Sequence, residues 1–114
     1  MYVINRPITI MTGLQIIQEE RLRQQTDEKR SSANDDGYIK GELAIAAKVY
    51  YQCAVDGLMY VRHALKDWPW ASNWFKPWAS GDPTKFDAQR CLAKAGALAM
   101  AERDRMNRFI ASWS

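Results

Sequence analysis

Residues 38–66, YIKGELAIAAKVYYQCAVDGLMYVRHALK, decide the fold of this chain. Their apolar side chains recur at helical spacing and keep one stripe, which predicts a long amphipathic helix. A second, weaker stripe lies on another face, so we expect two packing partners, one of them another subunit of a homo-oligomer. The main stripe comprises Ile39, Leu43, Ala46, Ala47, Tyr50, Ala54, Leu58, Val61 and Leu65, and the second comprises Ile45, Val49, Cys53 and Tyr60.

A second helix is predicted before this stretch. Thr12 and Gln15 form a capping box, and good helix formers continue to about residue 25. The polar loop 26–38 follows, and in it Asp35 or Asp36 is a natural N-cap for the central helix.

A third helix is predicted after the central one. Asp82-Pro83 combines an N-cap residue with a proline at the first helical position, which is a strong start signal. Residues 1–11 favour extended backbone and contain Pro7. We therefore expect a single domain, residues 1–114, in which an extended arm (1–11) precedes an all-α bundle of three main helices (12–114).

The composition argues against several classes of protein. The chain has 114 residues, of which 47% are hydrophobic, a fraction that supports a core and is too high for a disordered tail. No apolar run approaches the ~20 residues of a membrane-spanning helix, and the N-terminus is a poor signal peptide. The net charge of +3 argues against long nucleic acid as a partner, because it cannot neutralise many phosphates.

Cysteine and histidine are sparse. Cys53 and Cys91 have no partner motif, and His63 is the only histidine, so the sequence offers no zinc-binding set. We expect both thiols to be buried in a reducing compartment and His63 to lie on the surface.

Tryptophan is concentrated in residues 67–81, DWPWASNWFKPWASG, which hold four of the five Trp residues. Two prolines prevent regular helix there. Two interpretations stay open for Trp68, Trp70 and Trp74. The rings form a hydrophobic plug at the end of the bundle, or they form a stacking platform for a base with Lys76 beside it for phosphate.

Charged residues interrupt the predicted apolar stripes. Arg21 and Gln24 extend the stripe of the first helix, and Glu102 falls within that of the third, so Arg21 and Glu102 are predicted to pair in a semi-buried site. That pair is either a structural salt bridge or part of a site in which Arg21 grips a phosphate. Lys94 is predicted to form a helix-surface ion pair, with phosphate binding as the alternative.

Asp35, Asp36 and Glu42 are candidate ligand-binding acids. Capping explains one of the two aspartates but not both. For the other aspartate we expect either a contact to a ribose hydroxyl or a metal ion shared with Glu42.

Six short motifs lie in order along most of the chain: ERLRQ (20–24), DD (35–36), GELAIAAKVY (41–50), WPW (68–70), WFKP (74–77) and KAGALAMAE (94–102). Together they resemble a family of small uncharacterised proteins common in phages and prophages. This resemblance spans residues 20–102 and implies a phage protein acting in the host cytoplasm. The chain departs from the family pattern after Pro77, where a basic run is replaced by WASGDPTKFDAQR.

A weaker resemblance is to the MazG-like all-α nucleoside-triphosphate pyrophosphatases. Their GELxE motif is matched only through Gly41-Glu42-Leu43, since Ile45 stands where the second acid is expected. Under this alternative, Glu20, Asp35, Asp36 and Glu42 would hold magnesium, the only cofactor that the sequence suggests.

The leading functional prediction is a non-enzymatic phage protein that binds a small nucleotide-like ligand, in the phage context by sequestering a host immune signalling nucleotide. Indole stacking and Arg/Lys contacts to phosphate would supply the affinity. A divergent pyrophosphatase and a protein-binding inhibitor of a host enzyme are the alternatives. The predicted ligand-binding residues are Arg21, Gln24, Asp35, Asp36, Glu42, Trp68, Trp70, Trp74, Lys76, Lys94 and Glu102; no catalytic or metal-binding residue is predicted.

Overall fold

The predicted capping box opens the first helix. The Thr12 backbone N–H donates to Gln15 Oε1 at 2.8 Å, and the Gln15 N–H donates to Thr12 Oγ1 at 3.1 Å. These two bonds satisfy donors that a helix start leaves unpaired. In the computed structural model, which describes residues 12–26 and 31–112, helix α1 then runs from Gly13 to Thr26. The predicted arm, residues 1–11, lies outside the described residues.

The central element is shorter than its pattern predicted. Helix α3 spans Glu42–Asp56, a short helix α4 spans Leu58–Val61, and a 3-10 turn covers Ala64–Lys66. Gly57 separates them at φ 70° and ψ −153°, a conformation that only glycine adopts readily. The continuous helix expected over 38–66 is therefore wrong, because the apolar spacing in the sequence continues through Gly57 and does not reveal the break. Three members of the predicted stripe, Ile39, Leu58 and Leu65, are exposed in the structure.

Asp35 and Asp36 do not cap α3. They end the short helix α2, Ser32–Asp36, whose own N-cap is Ser31, and α3 is preceded by Gly41 at φ 81°. The capping prediction for the two aspartates is wrong, and Asp35 is instead fully buried.

A small antiparallel hairpin replaces the predicted start of the last helix. Strand β1, Trp78–Ala79, pairs with β2, Asp82–Phe86, and Trp78 lies opposite Phe86. Asp82-Pro83 therefore begins a strand. The last helix, α5, spans Ala88–Ala111, and its N-cap is Asp87, whose Oδ1 accepts the Arg90 N–H at 3.0 Å. The architecture is mainly helical, as expected, with this hairpin as the exception to an all-α fold.

The core lies between α3 and α5. Leu43 and Leu98 are essentially fully buried there, as are the free thiols of Cys53 and Cys91, as predicted. Helix α1 packs on α5 at Gly96, where an added Cβ would lie 2.7 Å from Ile17 Cδ1. The missing side chain is what lets the two helices approach so closely.

Across the described ranges, no helix combines the length and apolar character needed to cross a bilayer.

Candidate ligand-binding site

Lys94 is buried between helices. Only 2% of the residue is exposed, and its Nζ lies 3.6 Å from Glu20 Oε2 on α1 and 5.7 Å from the centre of the Tyr50 ring on α3. The predicted surface ion pair of Lys94 is therefore wrong. The physical reason is that α1 and α3 both cover this face of α5, so that the ammonium group is enclosed.

Glu20 is the centre of the buried polar group. Its carboxylate accepts from Arg23 Nη2 at 2.6 Å and from Gln24 Nε2 at 3.3 Å, in addition to the contact with Lys94. Three donors hold this one carboxylate, which compensates for its burial. Gln24 was among the predicted residues, whereas Glu20 was named only under the pyrophosphatase alternative.

The predicted Arg21–Glu102 pair is wrong. Arg21 Nη2 lies 3.4 Å from Asp35 Oδ2 and 3.9 Å from Asp104 Oδ2, while Glu102 accepts from Arg105 Nε at 2.6 Å. Helix α2, which the sequence did not predict, carries Asp35 into the position expected for Glu102. Arg21 and Asp35 are thus brought together as two members of the predicted set.

Two buried atoms of α1 lack a hydrogen-bond partner within the described residues, Arg21 Nη1 and Gln24 Oε1. The buried residues of α1 are Glu20, Arg21 and Gln24, all of them polar. Helix α1 therefore contacts the rest of the molecule through buried polar side chains in addition to Ile17, which packs at Gly96.

The other predicted acids are separate from one another. Asp36 pairs with Arg108 at 2.9 Å, and Glu42 accepts the Lys40 N–H at 2.8 Å. The described residues contain no group of three or more His, Cys, Asp or Glu side chains that could hold a metal ion.

Trp68 and Trp70 pack into an aromatic cluster. Their ring centroids lie 5.4 Å apart at nearly a right angle, and Trp68 also contacts Tyr50 and Phe75 at 5.3 and 5.1 Å. Trp68 Nε1–H donates to the Ala71 carbonyl at 3.1 Å. These two rings match the plug interpretation, whereas Trp74 is 44% exposed.

A cleft of about 330 Å³, here called the hairpin cleft, lies between the hairpin and α5. Trp78 and Arg90, both half-buried, and exposed Lys76 line it together with the turn of the hairpin. Asp82 also lines it, and its Oδ1 accepts from the backbone N–H and the hydroxyl of Thr84. Within residues 12–26 and 31–112, no carboxylate lies within ion-pair distance of the charged nitrogens of Lys76 or Arg90. The Lys76 backbone N–H donates to the Tyr50 hydroxyl at 2.9 Å, which ties the loop to the core.

A larger cleft of about 510 Å³, here called the α1–α5 cleft, adjoins it at Arg90, which lines both. Its polar lining differs from that of the hairpin cleft, because carboxylates are frequent. The lining residues are Ile16, Glu19, Glu20, Arg23, Asp87, Gln89, Arg90 and Ala93.

Comparison of the chain with protein-family models, curated proteins and solved structures gives no match. The resemblance to phage proteins therefore stays a prediction that rests on the quoted motifs.

Neither thiol suits nucleophilic chemistry. Burial raises the pKa of Cys53 to about 11 and that of Cys91 to about 12. Because the thiolate is the nucleophile, both groups are inert at neutral pH.

The structure brings together only part of the predicted site. Arg21 pairs with Asp35, Gln24 and Lys94 both contact the Glu20 carboxylate, and the rings of Trp68 and Trp70 pack together. Of the eleven predicted ligand-binding residues, Lys76 lines the hairpin cleft, and the other ten line neither cleft. Arg90 and Trp78, which line the hairpin cleft, were not among the predicted ligand-binding residues. The signal for Trp78 was its position directly after Lys76-Pro77.

Proposed function

We propose that this protein binds a small nucleotide-like anion in the hairpin cleft and does not transform it. The observation that carries the proposal is one cleft that holds an indole, Trp78, and two cationic side chains, Lys76 and Arg90. The carboxylate of Asp82 also lines this cleft, but it binds Thr84, and among the described residues no carboxylate forms an ion pair with either cation. Cations without a protein counter-ion favour an anionic ligand.

The dimensions and chemistry of the cleft support this ligand class. Stacking on an aromatic ring is worth roughly 1–3 kcal/mol per base and tolerates any base, since each has a π-face. Trp78 is half-buried opposite Phe86 in the hairpin, which restricts the orientation of its ring. A volume of about 330 Å³ is within the range of small-molecule sites.

The resemblance to phage proteins suggests a biological role for this binding. A phage protein that binds such a ligand tightly and leaves it intact would sequester a host immune signalling nucleotide. A homo-oligomer is part of the same proposal, and the exposed apolar side chains of Tyr51, Val55 and Met59 support it. The second predicted stripe no longer does, because its members Val49 and Cys53 are buried within one chain.

The two alternatives receive less support. Glu20, Asp35 and Asp36 each pair with a cation, and the metal-binding set of a pyrophosphatase is not assembled in the described residues. For a protein-binding inhibitor, the expected Trp patch is reduced to Trp74, since Trp68 is buried and Trp70 partly so.

Titration calorimetry of the protein against a panel of mono-, di- and cyclic nucleotides tests the proposal. We expect heat with at least one nucleotide, and a loss of about tenfold in affinity in Lys76→Gln and in Trp78→Leu. Lys85→Gln and Trp74→Leu are the matched controls, because these residues do not line the cleft. No heat with any nucleotide, or equal losses in the controls, would overturn the proposal.

A further inference from the structure

The α1–α5 cleft differs in chemistry from the hairpin cleft that it adjoins. Glu19, Glu20 and Asp87 place three carboxylates in its lining, and Gln89 adds an amide. Arg23, one of its two cations, already binds Glu20 through two nitrogens. The cleft therefore presents mainly hydrogen-bond acceptors, and a phosphate group is disfavoured there.

At the base of this cleft lies the carboxylate of Glu20, which is held in place by its neighbours. The side chain of Glu20 is 9% exposed, and Arg23, Gln24 and Lys94 fix its carboxylate from α1 and α5. Four of the five close contacts that these donors make fall on Glu20 Oε2, whereas among the described residues Oε1 accepts only from Arg23 Nε. Because each carboxylate oxygen has two acceptor positions, Oε1 keeps one for a ligand. Groups that donate several hydrogen bonds without carrying negative charge match such a lining, and vicinal hydroxyls of a sugar are of this kind.

Arg90 connects the two clefts. It lines both, and within the described residues its guanidinium has no carboxylate partner. An anionic group at Arg90 would thus have an aromatic subsite on one side and an acceptor-rich subsite on the other.

Building on the proposed function, we infer that the α1–α5 cleft is a sugar subsite and that the ligand class is a nucleoside diphosphate sugar. The base stacks on Trp78, the diphosphate lies at Lys76 and Arg90, and the terminal sugar donates hydroxyl hydrogen bonds to the acceptors of the α1–α5 cleft.

The experiment compares ligand pairs that differ only in the terminal sugar, UDP with UDP-glucose and ADP with ADP-glucose, by titration calorimetry on the full chain. We expect the sugar-bearing member of at least one pair to bind about tenfold tighter, which corresponds to one or two net hydrogen bonds. Gln89→Ala and Glu19→Gln should lower the affinity for that member toward that for its diphosphate. Gln18→Ala, also on the protein surface but outside the cleft, should leave both affinities unchanged.

The outcomes separate the two proposals. Equal affinities within each pair, still sensitive to Lys76→Gln, overturn the sugar subsite and leave the proposed function standing. No binding by any of the four ligands overturns this inference, and the nucleotide panel described above then decides the proposed function separately.

Saturation-transfer difference NMR on the unmodified protein provides a second readout, since a sugar that contacts the protein receives saturation and a free one does not. Tighter binding of a polyamine than of either sugar nucleotide would also overturn the inference, by identifying the cleft as a cation site.

Discussion

Lys94 Nζ on α5 lies 3.6 Å from Glu20 Oε2 on α1, and both side chains are almost completely withdrawn from solvent. The contact joins the first and last helices of the fold through opposite charges. Because removing one partner of a buried pair strands the other charge, the cost of substitution exceeds the net contribution of the pair itself.

Lys94→Met should destabilise the protein. We expect the free energy of unfolding to fall by about 2–3 kcal/mol. This is no more than the smallest loss usual for a broken buried ion pair, about 3 kcal/mol, because Arg23 and Gln24 still bind Glu20. Urea unfolding followed by circular dichroism measures the change.

The control for this variant is Lys85→Met on the exposed strand β2, which should change stability by no more than about 0.5 kcal/mol. The double variant Glu20→Gln/Lys94→Met also removes the buried carboxylate that Lys94 neutralised, and it gives up the Arg23–Glu20 ion pair, whose arginine is partly exposed. We expect its stability to equal or exceed that of Lys94→Met. A double variant less stable than Lys94→Met would contradict the burial argument.

Gly57→Ala should destabilise the protein by about 1–3 kcal/mol, because its φ of 70° and ψ of −153° are unfavourable for a residue with a Cβ atom. Gly13→Ala is the control, as a Cβ there meets nothing within 4 Å and φ is not positive. Thermal melts of both variants check this. Similar melting temperatures would show that the break between α3 and α4 is not strained.

Trp68→Ala should cost about 3–5 kcal/mol, as expected for a large side chain removed from a packed cluster. Trp74→Ala, at a ring that is 44% exposed, should cost less than about 1 kcal/mol. Denaturant unfolding measures both values. If the losses were equal, the plug interpretation of Trp68 would fail.

The buried thiols predict a loss of stability at alkaline pH. In the unfolded chain a cysteine ionises near its ordinary pKa of 9.0, whereas burial raises the pKa of Cys91 to about 12 in the fold. Stability is therefore fully present below pH 9 and falls as the pH rises toward 12, by up to about 1.4 kcal/mol per pH unit for each thiol. Urea unfolding between pH 8 and pH 10.5 under reducing conditions measures the slope.

Cys91→Ala is the comparison for that slope. Its stability should decrease less steeply with pH than that of the unmodified protein, whatever its stability at pH 8. An unchanged slope would mean that other groups, such as Tyr60, account for the alkaline loss.

Predictions that depend on residues close together in the sequence agree best with the structure. The Thr12–Gln15 capping box and the irregular Trp/Pro loop depend on local chemistry, and the fold follows both predictions. The Asp82-Pro83 start signal is the exception. It satisfied local rules, but the pairing of Trp78 with Phe86 turned that segment into a strand, and Asp87 became the helix cap.

The candidate site was harder to predict because it depends on which helix faces which. Arg21 and Lys94 were identified as functional candidates, but their partners, Asp35 and Glu20, come from contacts that periodicity does not determine. The break at Gly57 is a similar case, since a single glycine in a helical pattern is usually tolerated.

The fully buried residues of α1 are all polar, so few buried apolar side chains hold this helix to the rest of the fold. We therefore expect α1 to open locally at a free energy below that of global unfolding. Since α1 also forms one wall of the α1–α5 cleft, any molecule that fills the cleft favours the docked helix by mass action. Ligand binding and local opening of α1 are therefore coupled, so slower hydrogen exchange in α1 would report cleft occupancy without a label on the ligand.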